Sequence, residues 1–195
     1  MKKLVIASNN AGKLREFQDM LAPLGIEVMT QAQLGIDEAE EPHCTFVENA
    51  LAKARHVSKA SGLPALADDS GICVPALGGA PGVWSARYAG EPRSDTRNNE
   101  KLLHSMRDIT DRRAHYYCVL VLVQHADDPQ PLLAEGEWHG EIAHAERGDG
   151  GFGYDPLFWL PELGKMSSEL TPGEKAMLSH RGKAMKILLQ KLKTV

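Results

Sequence analysis

"KLVIASNNAGKLREFQDML", residues Lys3 to Leu21, is the stretch from which the rest of the fold can be read. Lys3 to Ala7 is a short strand-like run, and Leu14, Phe17, Leu21 and then Leu24 recur near helical spacing. The "SNNAGK" between them, Ser8 to Lys13, is therefore a strand-to-helix turn. Such a turn presents backbone N–H groups and the positive end of a helix dipole, and Lys13 sets a full charge beside them. Two readings fit: an anion site with phosphate as its guest, or a polar turn with a solvated lysine. The Walker A pattern fails, because it needs glycine where Ala7 stands and Ser or Thr where Leu14 stands.

Outward from this turn, Ile26 to Thr30 predicts a second short strand, followed by the acidic loop "GIDEAEEP", Gly35 to Pro42. Thr45 and Glu48 form a capping box that opens a helix, with Val47, Ala50, Leu51, Ala54 and Val57 as its buried stripe and Gly62 as its stop. Asn49 and Lys53 lie one turn apart on that helix and point the same way. "LPALADDSG" reads as a brief apolar strand ending in Asp68 and Asp69, at the strand end where open α/β sheets place their chemistry. Leu77 to Gly90, rich in glycine, is a loop that packs closely or moves, and its Trp84 and Arg87 suit packing or a dimer contact. Ser94 caps a helix running to about Met106.

Ala114 to His125 is the strongest strand, apolar enough to lie centrally in a sheet. A turn at Asp127 to Gln130 leads to Pro131 to Trp138, and "GEIAHAE" adds a third strand of an antiparallel meander. A second glycine-rich loop, Arg147 to Pro156, precedes the apolar run Leu157 to Leu160. Thr171 and Glu174 make another capping box with Pro172 at the first helical position. They predict one long helix with Ala176, Met177, Met185, Leu188, Leu189 and Leu192 available for packing. The order βαβαβ, meander, helix gives an α/β fold: a mixed β-sheet flanked by helices, as a single domain over residues 1–195.

With 43% hydrophobic and 25% charged residues the chain has ordinary globular composition, and its net charge of −4 argues against a nucleic-acid polymer or an anionic membrane as partner. Cys44, Cys73 and Cys118 are scattered and odd in number, which suggests neither a disulfide framework nor a zinc knuckle and fits a reducing compartment. Polar Ser8 interrupts the first apolar run too early for a signal peptide, and no apolar stretch approaches the roughly 18 residues of a membrane span. The expected location is the cytoplasm.

Four polar clusters are chemical candidates: the Ser8 to Lys13 turn, Glu40 and Glu41 in the acidic loop, Asp68 to Gly71, and Ser179 to Arg181. Taken singly, each has a bland reading. Acidic loops are commonly solvated, Lys53 and Lys175 suit solvated helix faces, His180 suits a surface position, and Phe152 and Tyr154 suit a core. Adjacent Asp68 and Asp69 stand out because like charges repel and need a reason to share a strand. In combination, carboxylates for a hard divalent cation, lysines for phosphate oxygens and an anion turn are the parts of phosphoryl chemistry on a nucleotide.

These segments together, "SNNAGK" at 8–13, "TFVENALAKA" at 45–54, "ADDSG" at 67–71, "LGGAPGVWSARYAG" at 77–90, "GGFGYDPLF" at 150–158 and "EKAMLSHRGKA" at 174–184, closely resemble the inosine/xanthosine triphosphate pyrophosphatase family. The resemblance spans essentially the whole chain. It implies an elongated mixed sheet with two lobes and a central active-site cleft, a homodimer, Mg²⁺ as cofactor and a purine nucleoside triphosphate as substrate. The implied reaction yields a monophosphate and pyrophosphate. By the same resemblance, Ser8, Asn9, Asn10, Ala11, Gly12 and Lys13 hold the triphosphate, with Lys53 adding charge. Asp69 is the implied general base, Glu40 or Glu41 holds Mg²⁺ together with Asp69, Asp68 is an alternative metal ligand, and Ser70 contacts the substrate. Phe152 or Tyr154, with Gly153 and Asp155, shape the base pocket, and Lys175, His180 and Arg181 supply donors to the base. Ser8-Asn9 departs from the Thr-Gly of many relatives, so Asn9 is expected to meet a demand for left-handed backbone.

Overall fold

The computed structural model describes residues 2–148 and 150–193, so Asp149 of the second glycine-rich loop lies outside the described residues. Seven strands form one mixed, open sheet in the order β2-β1-β3-β4-β5-β6-β7. They are β1 (Lys3–Ile6), β2 (Glu27–Thr30), β3 (Ala65–Cys73), β4 (Arg113–Val123), β5 (Leu132–Ile142), β6 (Phe158–Leu160) and β7 (Lys165–Met166). β1 runs parallel to β2 and β3, pairing Leu4 with Val28 and Ile6 with Leu66, whereas β5, β6 and β7 pair antiparallel. The apolar stretch expected to be central is β4, the fourth of the seven. The helices are α1 (Ala11–Leu21), α2 (Phe46–Ser61), α3 (Asp95–Ser105), α4 (Pro172–Leu178) and α5 (His180–Leu192). Among the described residues no helix is long and apolar enough to cross a membrane.

The chain divides into two units by its contacts. The first comprises residues 1–69, 118–135 and 184–195, and its core gathers Leu4, Phe17, Leu66, Leu120 and Leu188 among other fully buried side chains. The second comprises residues 70–117 and 136–183, and its core is built on Ile72, Leu102, Trp138, Leu157 and Phe158.

Local signals account for the helix ends. Asn10, Thr45, Ser94 and Thr171 are the N-caps of α1 to α4, each side-chain oxygen accepting backbone N–H groups of the first turn. α2 stops at Gly62, whose left-handed φ of 68° suits glycine. Its buried positions are Asn49, Ala50, Ala54, Val57 and Ser58, while Val47 and Leu51 of the expected stripe are half-buried.

Three expectations are corrected. β3 does not end at Asp69 but continues to Cys73, because Ile72 is buried and its N–H is taken up by Ser85 Oγ at 2.9 Å, so the aspartates sit in mid-strand. The stretches Pro131–Trp138 and Gly140–Glu146 are not two strands: β5 runs through both as far as Ile142. The long C-terminal helix is broken at Ser179, whose extended backbone (φ −68°, ψ 160°) ends α4. Ser179 Oγ then accepts the Gly182 N–H at 3.1 Å and caps α5. A Cβ on Gly182 would collide with the Ala176 carbonyl, so the two helices meet at a spacing only glycine allows. The break leaves Ala176 and Met177 exposed rather than packed, and puts His180 and Arg181 in the first turn of α5.

Candidate active site

In the first unit, charged side chains converge from four segments. Asn10 caps α1 by accepting the Gly12 and Lys13 N–H groups on Oδ1 at 3.0 and 3.1 Å, while its own N–H donates to Ser8 Oγ at 3.2 Å. Two of the amides that the sequence suggested were free for an anion are thus already engaged. Ala11 begins α1 on its exposed side. Asn9 needs no left-handed backbone, since no described non-glycine residue has positive φ, and its amide donates to Glu38 Oε1 at 3.0 Å. Lys13 turns inward to Asp68, Nζ to Oδ2 at 2.8 Å.

Lys53 is the hub of the second cluster in this unit. Its Nζ lies 2.8 Å from Glu41 Oε1 and 2.9 Å from Asp69 Oδ1. Asn49, one turn back, clasps the acidic segment by accepting the His43 N–H at 3.0 Å and donating to the His43 carbonyl at 3.2 Å. The two α2 side chains reach the same segment, Lys53 at Glu41 and Asn49 at His43. Glu40 is exposed. Burial opposes the Lys53 charge, yet the fields of Asp69, Asp68 and Glu41 outweigh it and hold the lysine pKa above its ordinary value. For Asp69 burial dominates and raises the pKa, with Lys53 and Lys13 offsetting this only in part. Its Oδ2 is buried without a hydrogen-bond partner among the described residues.

Fitness for a cation follows from the donor set. Among the described residues no three His, Cys, Asp or Glu side chains gather as a ready-made metal cage. Mg²⁺ does not require one: it keeps several waters and binds through one or two carboxylates plus substrate phosphates. The unpartnered Asp69 Oδ2 and the carboxylate of Glu41 are hard oxygen donors of that kind. Asp68, Asp69 and Glu41 also outnumber Lys13 and Lys53, so the cluster with its carboxylates ionised carries an excess of negative charge.

The second unit carries a different chemistry. Arg181 Nη2 donates to Ser70 Oγ at 3.2 Å, and His180 stacks on Tyr116 with ring centroids 4.8 Å apart and planes 8° from parallel. Both are buried. Asp155, 2% exposed, is an organising carboxylate: it accepts from Ser167 Oγ at 2.9 Å and the Phe152 N–H at 2.8 Å, and it pairs with Lys175. Gly151 must be glycine here, because a Cβ would run into that carboxylate. The Lys175 ammonium also lies 4.4 Å from the centroid of the Phe152 ring.

Of the two aromatic candidates the geometry separates one from the other. Phe152 is 45% exposed, whereas Tyr154 is 4% exposed and donates its hydroxyl to the Ser85 carbonyl at 2.8 Å. Tyr154 is a core residue, a correction to its placement as a base-stacking alternative. Asp155 likewise spends its oxygens on the protein rather than presenting them. Gly153, between these residues, is held by Asp95, which accepts its N–H at 2.7 Å, and by Asn99, which donates to its carbonyl at 3.1 Å. Sequence reasoning missed Asp95, Asn98 and Asn99, whose only signal was an Asn-Asn pair on a helix face, and Glu38, the partner of Asn9.

The chain belongs to the Ham1 family, whose profile matches residues 4–191. Among its relatives, the dITP/XTP pyrophosphatase of Nitrosomonas europaea is 66% identical over 192 residues, covering 98% of this chain and 95% of that protein. The dITP/XTP pyrophosphatase of Ralstonia nicotianae is 62% identical over 196 residues, covering 99% and 98%. Among solved structures, a HAM1 protein from Coxiella burnetii superposes with a TM-score of 0.96 at 45% identity, over 100% of both chains. The Staphylococcus aureus Ham1 protein gives 0.90 at 40% identity, over 99% of both.

Proposed function

We propose that this protein hydrolyses non-standard purine nucleoside triphosphates, ITP, dITP and XTP, to the monophosphate and pyrophosphate, and so cleanses the nucleotide pool. The single observation that carries the chemistry is Lys53 gripping Glu41 and Asp69 while Asp69 Oδ2 is left buried without a partner. Near-full-length identity to proteins named dITP/XTP pyrophosphatase supports the substrate class.

In this reading the residues around Lys53 handle the phosphates and those around Arg181 and Phe152 the base. The Ser8 to Lys13 turn and Lys53 bind the triphosphate. Asp69, its basicity raised by burial, takes a proton from the water that attacks the α-phosphorus, and the bond to the bridging oxygen of pyrophosphate breaks. Glu41 and Asp69 would hold Mg²⁺, which offsets the charge of the phosphate oxygens when bound. Lys53 keeps both carboxylates oriented and its own charge intact. On the base side, hypoxanthine and xanthine carry an acceptor oxygen at position 6 where adenine carries an amino donor. Arg181 and His180, with Lys175 beside them, supply donors, and Phe152 supplies the stacking surface. A buried donor left facing an amino group disfavours adenine by a factor on the order of 10⁴. The same reading makes the protein a cytoplasmic homodimer, with half-exposed Trp84 at the contact surface.

The test is incubation with Mg²⁺ and, separately, ITP, XTP, GTP and ATP, with pyrophosphate resolved from orthophosphate. Pyrophosphate with IMP or XMP, and little from ATP, is the expected result. Orthophosphate with a nucleoside diphosphate would refute attack at the α-phosphorus.

A further inference from the structure

Within the second unit, α3 reaches both glycine-rich loops with consecutive side chains. Asn98 accepts the Ala89 N–H at 2.7 Å and donates to the carbonyls of Ser85 and Ala86 at 3.4 and 3.1 Å. Asn99 donates through Nδ2 to the Gly153 carbonyl at 3.1 Å and to Glu146 Oε1 at 2.8 Å. One turn earlier, Asp95 Oδ2 accepts the Gly153 N–H at 2.7 Å. The two peptide units that flank Gly153 are thus held from a single helix, one by an acceptor and the other by a donor.

Packing does not explain this arrangement. A Cβ built on Gly153 would meet nothing within 4 Å, so polar bonds rather than sterics locate the residue. The Asn99 amide has only one workable orientation, since turned over it would aim Oδ1 at the Gly153 carbonyl and the Glu146 carboxylate, both acceptors. The cost of that orientation is Oδ1 itself, buried without a hydrogen-bond partner among the described residues. The amide thus gives up its own acceptor to keep both donor bonds, one of them to Gly153.

We propose that Asp95 and Asn99 are positioning residues for purine recognition, fixing Gly153 and thereby the orientation in which the adjoining Phe152 ring meets the base. Asp155 fixes the Phe152 N–H from the other side, at 2.8 Å, so the α3 clamp completes the frame. The inference rests on the reading of Phe152 as the base-stacking residue.

Two measurements on the full chain test it. Hydrogen–deuterium exchange of the ligand-free protein reports the clamp itself: the Gly153 segment should exchange about tenfold faster in Asp95→Ala and return to the wild-type rate in Asp95→Asn, which keeps an acceptor oxygen. Steady-state kinetics report its role: KM for ITP should rise about tenfold in Asp95→Ala with kcat within about twofold, and recover in Asp95→Asn. The Ki of inorganic tripolyphosphate supplied with Mg²⁺, a competitor with no base, should not change. Asn99→Ala carries the same expectations should Asp95→Ala fail to fold. Unchanged exchange overturns the clamp, and faster exchange with unchanged KM overturns its role in recognition. A tripolyphosphate Ki that rises in step with KM overturns positioning in favour of general damage. Wild-type protein that hydrolyses neither ITP nor XTP overturns the functional reading and the recognition half of this inference, while exchange still decides the clamp.

Discussion

Replacing Asp69 by Asn removes a charge and changes almost nothing in shape. If Asp69 is the base, kcat falls by about 10²–10⁴, equivalent to about 2.7–5.4 kcal/mol of activation free energy. The same substitution should not destabilise the fold, and the reason lies in the sign of the Asp69 shift. Its folded-state pKa is raised, so the stability it contributes is present below the unfolded carboxylate value and lost as pH rises through the folded one. At neutral pH the ionised group is therefore a net cost, even with the attraction of Lys53 at 2.9 Å already included. Lys53 meanwhile keeps Glu41 at 2.8 Å and the field of Asp68, so the lysine charge is not stranded. The assay pairs ITP turnover with thermal unfolding in EDTA from pH 4 to pH 7. Activity should collapse while the melting temperature of Asp69→Asn matches or exceeds that of the wild type, by a margin that grows with pH. Near-normal turnover would refute the base assignment, and a variant less stable than wild type by more than about 1 kcal/mol at pH 7 would show the ion pair to be a net stabiliser instead.

Other perturbations separate roles that look alike in sequence. Phe152→Ala should raise KM for ITP about tenfold or more, as expected from the loss of about 1–3 kcal/mol of stacking, with little change in melting temperature. Tyr154→Phe should do the reverse, costing about 1 kcal/mol in urea unfolding through the lost bond to the Ser85 carbonyl and leaving KM unmoved. Gly182→Ala forces a methyl group onto the Ala176 carbonyl and should destabilise by about 1–3 kcal/mol in the same assay, together with weaker ITP binding as Arg181 shifts. Asp128 accepts the Gln124 and Gln130 N–H groups at 2.8 and 2.9 Å, which depress its pKa, so Asp128→Ala should cost about 2 kcal/mol at pH 7. That deficit should close as pH falls from about 4 through the depressed value, a trend readable by denaturant titration.

The helix starts at Thr45 and Thr171, the Asp127–Gln130 turn and the central place of β4 were legible because each depends on neighbours a few residues away. The break at Ser179 was not, because apolar residues continue past it at helical spacing, although a cap-forming Ser followed by Gly182 was its latent sign. Tyr154 and Phe152 stand two residues apart in a glycine-rich loop and no local rule says which is swallowed by the core. Asn98 and Asn99 carry no local signal of their partners, because the loops they bind lie far from them in sequence or are ordered only by folding. The deepest gap concerns electrostatic sign. The sequence showed the lysines and aspartates as parts suited to a phosphate site, but not that Lys13 and Lys53 are each already committed to carboxylates. With three carboxylates facing two ammonium groups, the cluster is held by internal ion pairs and, fully ionised, carries an excess of negative charge. On the proposed reading, a divalent cation arriving with the nucleotide supplies the positive charge that this internal pairing withholds.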